Sequence, residues 1–271
     1  MIVTITPNLA LDVTYELPEL RPGQVHRVRD VHKRAGGKGV NVARVLRSLG
    51  HEVLVLGLAG GSTGQAVRED LDAAGLPHDL VPCSEETRRT VTAVAGGEAT
   101  LLREPGPTIT EREWSALEAR VPEADVVVVA GSLPPGVDGE ALARLVARLG
   151  ARDVPVIVDT SGEALRCAAP YAWAVKPNAE ELAAVTGTDD PVAGARALGA
   201  RTVVVSLGAG GLLAVTGDEV HRVAPPRVVT GNPTGAGDAC VAALAAGCAA
   251  GTPWRDRLRT AVAWSAAAVA A

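Results

Sequence analysis

Uninterrupted apolar runs, most of them β-branched, recur along the chain at residues 2–6, 53–58, 125–130, 154–158 and 202–206. Runs of that length and composition predict strands buried on both faces. Between them, apolar residues three and four apart predict helices at 40–49, from the 60–64 glycine cluster through 74, and at 139–149, 179–186 and 191–199. Gly50 ends the first of these. Thr110 and Glu113 form a capping box ahead of Trp114, Leu117 and Val121, which follow at helical spacing. Buried strands alternating with amphipathic helices predict an α/β fold, with a mostly parallel central sheet covered on both faces.

Two pairs of short segments break this alternation. Residues 13–17 and 24–31 have mixed polarity and flank the turn Pro18-Glu19-Leu20-Arg21-Pro22-Gly23. Residues 90–95 and 99–103 meet at Gly96-Gly97, a hairpin signature. Neither pair suits a sheet buried on both faces. They are expected to form a small lid sheet, drawn from about 12–34 and 87–104, on a single domain spanning 1–271. Residues 239–250 and 261–271 are Ala-rich helical segments. The second stops abruptly, so a continuation of the native chain is expected.

Composition narrows the function classes. The 271 residues carry a net charge of −5, so no global basic field favours nucleic acid. Four Trp, two Tyr and no Phe leave little to stack on bases and a core built from Val, Leu and Ala. Cys83, Cys167, Cys240 and Cys248 are scattered without a C-x-x-C pair, which argues against a zinc site or disulfide framework. No apolar run reaches the roughly 20 residues needed to span a bilayer. The N-terminal Met1-Ile2-Val3-Thr4-Ile5-Thr6 lacks the length and charge of a signal peptide. A cytoplasmic protein with a small-molecule partner is expected, with no nucleic-acid or membrane partner; pairing of the lid across a homodimer is an open possibility.

The chemistry concentrates in glycine-rich turns. Asn232-Pro233-Thr234-Gly235-Ala236-Gly237-Asp238-Ala239-Cys240 leads into an apolar helical segment. Glycines let backbone N–H groups approach a ligand, and a helix start adds free donors and partial positive charge, which together suit phosphate. Asp238 beside such a site suits a proton acceptor, although a Gly-rich turn with a helix-start Asp is the plain alternative. Gly36-Gly37-Lys38-Gly39-Val40-Asn41 opens another helix without the spacing of a Walker A loop, which favours a sugar or sugar phosphate over a nucleotide. Asp12, just past the first core strand, is placed to accept bonds from sugar hydroxyls or to lie idle at the surface. Arg88 is a candidate phosphate clamp with Arg103 on the neighbouring lid strand, or part of a charged edge.

Three further turns follow predicted strands. Gly131-Ser132-Leu133-Pro134-Pro135-Gly136 presents Ser132 at a strand's carboxyl end, where ligands bind in such folds. Lys176-Pro177-Asn178-Ala179-Glu180-Glu181 puts Asn178 and Glu181 on one face of a helix start, fit to organise Mg²⁺ through water, to cap the helix, or both. Ser206-Leu207-Gly208-Ala209-Gly210-Gly211 precedes a strand-like 212–216 and not a helix, so a dinucleotide fingerprint is disfavoured and a glycine turn walling a nucleotide pocket fits better.

Taken together, the Gly-Gly-Lys-Gly-Val-Asn turn followed by Val42-Ala43-Arg44, the 131–136 and 206–211 turns, Lys176 to Glu181 and Asn232 to Asp238 resemble the phosphofructokinase B family of sugar kinases, from Thr6 almost to the chain's end. Thr6-Pro7-Asn8, Ala35-Gly36-Gly37-Lys38-Gly39, Thr87-Arg88 and Glu104-Pro105-Gly106-Pro107 look most like its 1-phosphofructokinase and tagatose-6-phosphate kinase branch. That branch often has Asn where this chain has Thr90 and Arg103. The chain also ends earlier than such relatives usually do, and a further tail would help wall the adenine site.

The resemblance implies a ribokinase-like three-layer α/β/α fold with a β-sheet lid, and transfer of the γ-phosphoryl group of MgATP to a sugar phosphate, most readily fructose 1-phosphate. It implies Asp238 as base with Gly235, Ala236 and Gly237 stabilising the transferred group. Asp12, Gly37 and Asn41 would hold sugar hydroxyls, Lys38 and Arg88 the substrate's phosphate, and Ser132 would touch substrate. Lys176, Ser206, Gly208, Gly210, Gly211, Gly235 and Gly237 would line the ATP site, and Asn178 and Glu181 would organise Mg²⁺. Rival acceptors are tagatose 6-phosphate and an unphosphorylated hexose. Outside the kinases, a non-catalytic sugar-phosphate sensor is disfavoured by the intact Gly235-Ala236-Gly237-Asp238, and a nicotinamide oxidoreductase by the missing fingerprint.

Overall fold

The computed structural model describes residues 1–28, 30–225, 229–232 and 234–270. Pro233 of the Asn232–Cys240 stretch, Arg29 of the expected 24–31 strand, and Ala271 lie outside them.

The chain opens with β1 (Ile2–Thr6), then leaves the main sheet for β2 (Ala10–Leu17) and β3 (Val31–Gly36) before helix α1 (Lys38–Ser48). It returns as β4 (Val53–Ala59), α2 (Gly61–Ala73) and β5 (His78–Pro82), and leaves again for β6 (Arg88–Ala95) and β7 (Glu98–Arg103). The remainder alternates: α3 (Glu111–Ala119), β8 (Val126–Ala130), α4 (Gly139–Gly150), β9 (Val156–Asp159), α5 (Gly162–Ala168), β10 (Ala174–Val175), α6 (Ala179–Thr186), α7 (Pro191–Leu198), β11 (Thr202–Ser206), β12 (Leu212–Thr216) and β13 (Glu219–Val223). It closes with α8 (Ala236–Ala249) and α9 (Trp254–Ala270).

The nine-stranded sheet runs β13-β12-β11-β10-β9-β8-β1-β4-β5, parallel from β5 to β11 and antiparallel at β12 and β13. Strand residues feed its two faces alternately, as the period of two requires. In β8, Val126, Val128 and Ala130 join a core cluster with α1, α2, α8 and α9, whereas Val127 and Val129 join one with α3 to α7. Helix α8 is buried along most of its length, which explains its small apolar residues on all sides. The smaller sheet runs β3-β2-β6-β7, with β2 and β6 parallel. This is the three-layer α/β/α architecture with a second, smaller sheet that the resemblance implies.

Several boundaries differ from the sequence expectation. The second lid strand occupies Val31–Gly36 and not 24–31. Its first four residues are exposed, and pairing with β2 from Ala10↔Gly36 to Tyr15↔Val31, not an apolar pattern, makes it a strand. Helix α8 starts at Ala236, three residues early, so Asp238 sits in its first turn. Helix α1 starts at Lys38, and α9 at Trp254. Strands β5, β10 and β13 and helix α5 are additions; β10 has two residues and β13 is an exposed edge, so neither leaves a strong apolar signature.

Candidate active site

The strand order reverses at β1: the chain moves to β4 and β5 on one side, then crosses to β8 on the other. Ligands bind at the carboxyl ends of strands beside such a switch point. Asn8 follows β1, Ser132 follows β8, Asp159 ends β9, Lys176 follows β10 and Ser206 ends β11. Parallel pairing therefore gathers residues from five sequence regions on one edge, and the lid springs from the same edge after Leu9.

At the centre stand two helix starts. Gly235, in a left-handed conformation with φ 84°, caps α8. The first bond of that helix runs from Ala239 N to Gly235 O, 2.9 Å, so the N–H groups of Ala236, Gly237 and Asp238 precede its ladder. The Ser265 hydroxyl of α9 donates to the Ala236 carbonyl, 3.0 Å, and fixes this turn from behind. Asp238 is only 8% exposed. From the first turn of α1, Asn41 Nδ2 donates to Asp238 Oδ2, 2.9 Å. Burial pushes the Asp238 carboxyl up to about 6, with the Asp159 charge adding to it and Asn41, Lys38 and Lys176 opposing it.

Asp159, 1% exposed, stands beside them. Its Oδ1 accepts from Lys38 Nζ and pairs with Lys176 Nζ, each at 3.3 Å, and its buried Oδ2 has no protein partner. Burial disfavours the Lys176 ammonium, but Asp159, Cys240 and Glu181 outweigh it and hold its pKa above the ordinary lysine value. A Cβ at Gly237 would lie 3.8 Å from Lys176 Nζ, which puts that ammonium over the start of α8. The two ammonium groups meet at Asp159 Oδ1, with Lys176 over the helix start, and such positive charge beside free N–H donors suits an anion. Asp159 was not a candidate from the sequence; the signal available was a carboxylate just past the expected 154–158 strand.

The lid supplies a second charged group. Its register aligns Arg34, Asp12, Thr90 and Arg103 across four strands. Arg88 lies two residues along β6 from Thr90, its Nε donating to Asn8 O, 3.2 Å, and Nη1 to Glu104 O, 3.4 Å. Burial raises the Asp12 carboxyl above its ordinary value against the Thr90 hydrogen bond and the charges of Arg88, Arg34 and Arg103. Burial lowers the Arg88 and Arg34 pKa values. Arg34 is the second residue that sequence reasoning missed, because its strand was misplaced.

Asn8 ties these parts together. Its Nδ2 donates to Pro105 O at 2.9 Å and Ser132 Oγ at 3.3 Å, joining the ends of β1, β7 and β8. Lys38 is brought to Asp159 and not to Arg88. Gly37, with φ 103°, caps α1 against Thr6, and a side chain there would strain the backbone. Pro177 O accepts from Ser206 N, 3.1 Å, so the Lys176–Glu181 and Ser206–Gly211 turns are neighbours. Gly208 and Gly210 form a single 3-10 turn, and Gly211 packs its bare Cα against Val223 O and Ala224. Asn178 Oδ1 accepts from Glu181 N, 2.7 Å, and Glu181 Oε2 accepts from Asn178 N, 2.9 Å, the reciprocal capping box. No cluster of three His, Cys, Asp or Glu that would hold a metal occurs among the described residues.

Residues 6–271 match the model of the pfkB family of carbohydrate kinases. The chain belongs to this family. It is an ATP-dependent carbohydrate kinase. The tetrameric inhibited form of phosphofructokinase-2 from Escherichia coli is 32% identical, with a TM-score of 0.92, 99% of this chain and 93% of that chain covered. A possible 1-phosphofructokinase from Thermotoga maritima is 26% identical, with a TM-score of 0.85 and coverage of 99% and 91%. Ribokinase from the same organism, 20% identical with a TM-score of 0.82 over 100% and 93%, shares the kinase's fold. No helix among the kinase's described residues is long and apolar enough to cross a membrane.

Proposed function

We propose that this kinase phosphorylates a ketohexose phosphate, with fructose 1-phosphate as the acceptor and fructose 1,6-bisphosphate as the product. The observation that carries a phosphorylated acceptor is the lid around Asp12, where Arg34 and Arg103 share its row and Arg88 lies nearby, while the neighbouring Asp70 and Glu104 pair with Arg44 and Arg89. An excess of guanidinium groups suits bidentate capture of a substrate phosphate. The choice of the 1-phosphate rests on the Ala35–Gly39 and Glu104–Pro107 motifs. A second reading, fructose 6-phosphate, is favoured by the higher identity to phosphofructokinase-2, one structure of which is a complex with that sugar. Tagatose 6-phosphate is the third.

In this reading Asp238 takes the proton of the acceptor hydroxyl. A base with a pKa of about 6 is ionised at neutral pH yet basic enough to accept a proton as the bond forms. Charge on the transferred group meets the N–H groups of Gly235, Ala236 and Gly237, held in place before reaction so that no reorganisation is needed. Lys176 joins them, and its contact with Asp159 supports reading Lys38 as acting at this end too, and not on the acceptor's own phosphate. Asp12, Gly37 and Asn41 bind sugar hydroxyls, and Ser132, exposed at the end of β8 and joined to Asn8, meets the acceptor. Ser206, Gly208, Gly210 and Gly211 wall the nucleotide.

The donor set of Asn178 and Glu181 fits Mg²⁺ held through water: each gives one oxygen to the helix cap, which leaves Glu181 Oε1 for a hydrated ion carried mainly by phosphates. When bound, the ion would neutralise phosphate charge. A cytoplasmic location goes with this chemistry. The lid exposes Leu101 on one face and Val31 and Leu102 on the other, apolar surface that supports lid-to-lid pairing in a homodimer.

The test is ADP release from MgATP with fructose 1-phosphate, fructose 6-phosphate, tagatose 6-phosphate, fructose and ribose. The expected result is the highest kcat/KM with fructose 1-phosphate. Equal or better turnover of fructose would overturn the phosphate-binding role of the lid.

A further inference from the structure

Asn41 does something that binding a sugar hydroxyl does not require. Its amide reaches from the first turn of α1 to the first turn of α8 and donates to Asp238 Oδ2, 2.9 Å away. An ionised carboxylate only accepts, so the nitrogen of the amide must face it. That leaves Asn41 with a second N–H and its carbonyl oxygen free for another partner. The groups facing the Asp238 carboxylate are few: Asn41 and Lys38 from α1, Asp159 from β9, and Lys176 from the turn after β10. Asn41 is the neutral member of the set and, among the described residues, the one whose side chain is hydrogen-bonded to the base.

We propose that Asn41 is a positioning residue for the base: it fixes the Asp238 carboxylate in its ionised, acceptor-facing orientation and uses its remaining amide groups to bring the reacting hydroxyl to the same carboxylate. This rests on the reading of Asp238 as base. The amide stabilises the charged form of the carboxylate, and burial in this pocket opposes it, so the two together set where the base titrates. A hydrogen bond to a charged group has a net strength equivalent to a shift of about one to two pH units.

The test is the pH dependence of kcat/KM, whose acidic limb reports the base of the free enzyme. The substrate's phosphate also titrates near pH 6. It does so equally with every variant, so the ratio of wild-type to variant kcat/KM cancels it. For Asn41→Ala, loss of a sugar contact alone gives a ratio that does not vary with pH. Loss of the base's partner gives a ratio about tenfold larger at pH 5.5 than at pH 8.5, with the limb moved to higher pH. Asn41→Asp keeps the shape and sets a second carboxylate against the first. It should move the limb further, by about two units, as two carboxylates in contact cannot both ionise easily. A pH-independent ratio for both variants would overturn the inference and leave the base assignment standing. Near-normal turnover by Asp238→Asn, run alongside, would overturn the base assignment itself. Thermal unfolding of each variant at both pH values shows that folded protein is compared.

Discussion

Gly36 ends β3 in ordinary extended backbone, so an alanine there meets no backbone strain; what it meets is Asp12. A Cβ built on Gly36 lies 2.6 Å from Asp12 Oδ1 and closer still to Cγ and Oδ2. Non-bonded carbon needs about 3.5 Å, so the carboxylate must retreat by about 1 Å or more. Its backbone stays in the β2 ladder, and only the flexible end moves. The retreat takes Asp12 off Thr90 and out of the lid row. If Asp12 holds sugar hydroxyls, the lost charged hydrogen bonds correspond to about 1.5–3 kcal/mol, or roughly tenfold to a hundredfold in KM for the sugar phosphate. Because ground state and transition state share these bonds, kcat should change much less. Overpacking costs about 1–3 kcal/mol, and reduced freedom of the unfolded chain returns up to about 1. Gly36→Ala should therefore fold, within about 2 kcal/mol of wild type in urea. The assay is steady-state kinetics against the sugar phosphate at saturating MgATP, with a urea titration alongside. An unchanged KM in a folded variant would refute the role of Asp12.

Three other outcomes follow from the same geometry. The native state binds the Asp238 proton more tightly than the unfolded chain does, so ionisation costs stability, increasingly as pH rises from about 4 to about 6 and fully above that. Asp238→Asn should be more stable than wild type at pH 7.5, by up to about 3 kcal/mol, with the advantage gone near pH 4; denaturant titrations showing a less stable variant, or a gain independent of pH, would contradict this. Arg88→Ala should raise KM for the sugar phosphate by about tenfold or more with a smaller change in kcat; an unchanged KM would confine Arg88 to its bonds with the Asn8 and Glu104 carbonyls. Ser265→Ala removes the donor behind the Ala236 carbonyl and should lower stability by about 1 kcal/mol and raise KM for ATP; equal KM for ATP would make this contact structural only.

What the sequence shows and hides has physical reasons. Strand 202–206 and helix 179–186 match to the residue, because a β-branched run and a capping box are local signals. The starts of α1 and α8 are hidden because glycines of poor helix propensity occupy them: both helices begin on glycine-rich turns capped by Gly37 and Gly235. Strand β3 has no apolar face to read and exists through its pairing with β2. The turns after β8 and β10 put Ser132 and Lys176 at the carboxyl edge of the sheet, and the glycine turn before α8 puts Asp238 at a helix start. Contacts that join distant motifs left no trace in one sequence. Asn41 and Asp238 are 197 positions apart, and Lys38 and Asp159 are 121 apart. The lysine pair on Asp159, beside the start of α8, emerges only when the fold brings the ends of β9 and β10 to the start of α1.

Whether Asp238 activates an acceptor hydroxyl at the N-terminus of α8 is tested most directly by turnover of wild type and Asp238→Asn with MgATP and the preferred sugar phosphate. Asp238→Asn should fold, still bind ATP and lose about 10²–10⁴ in kcat. A folded Asp238→Asn with near-normal kcat would contradict it.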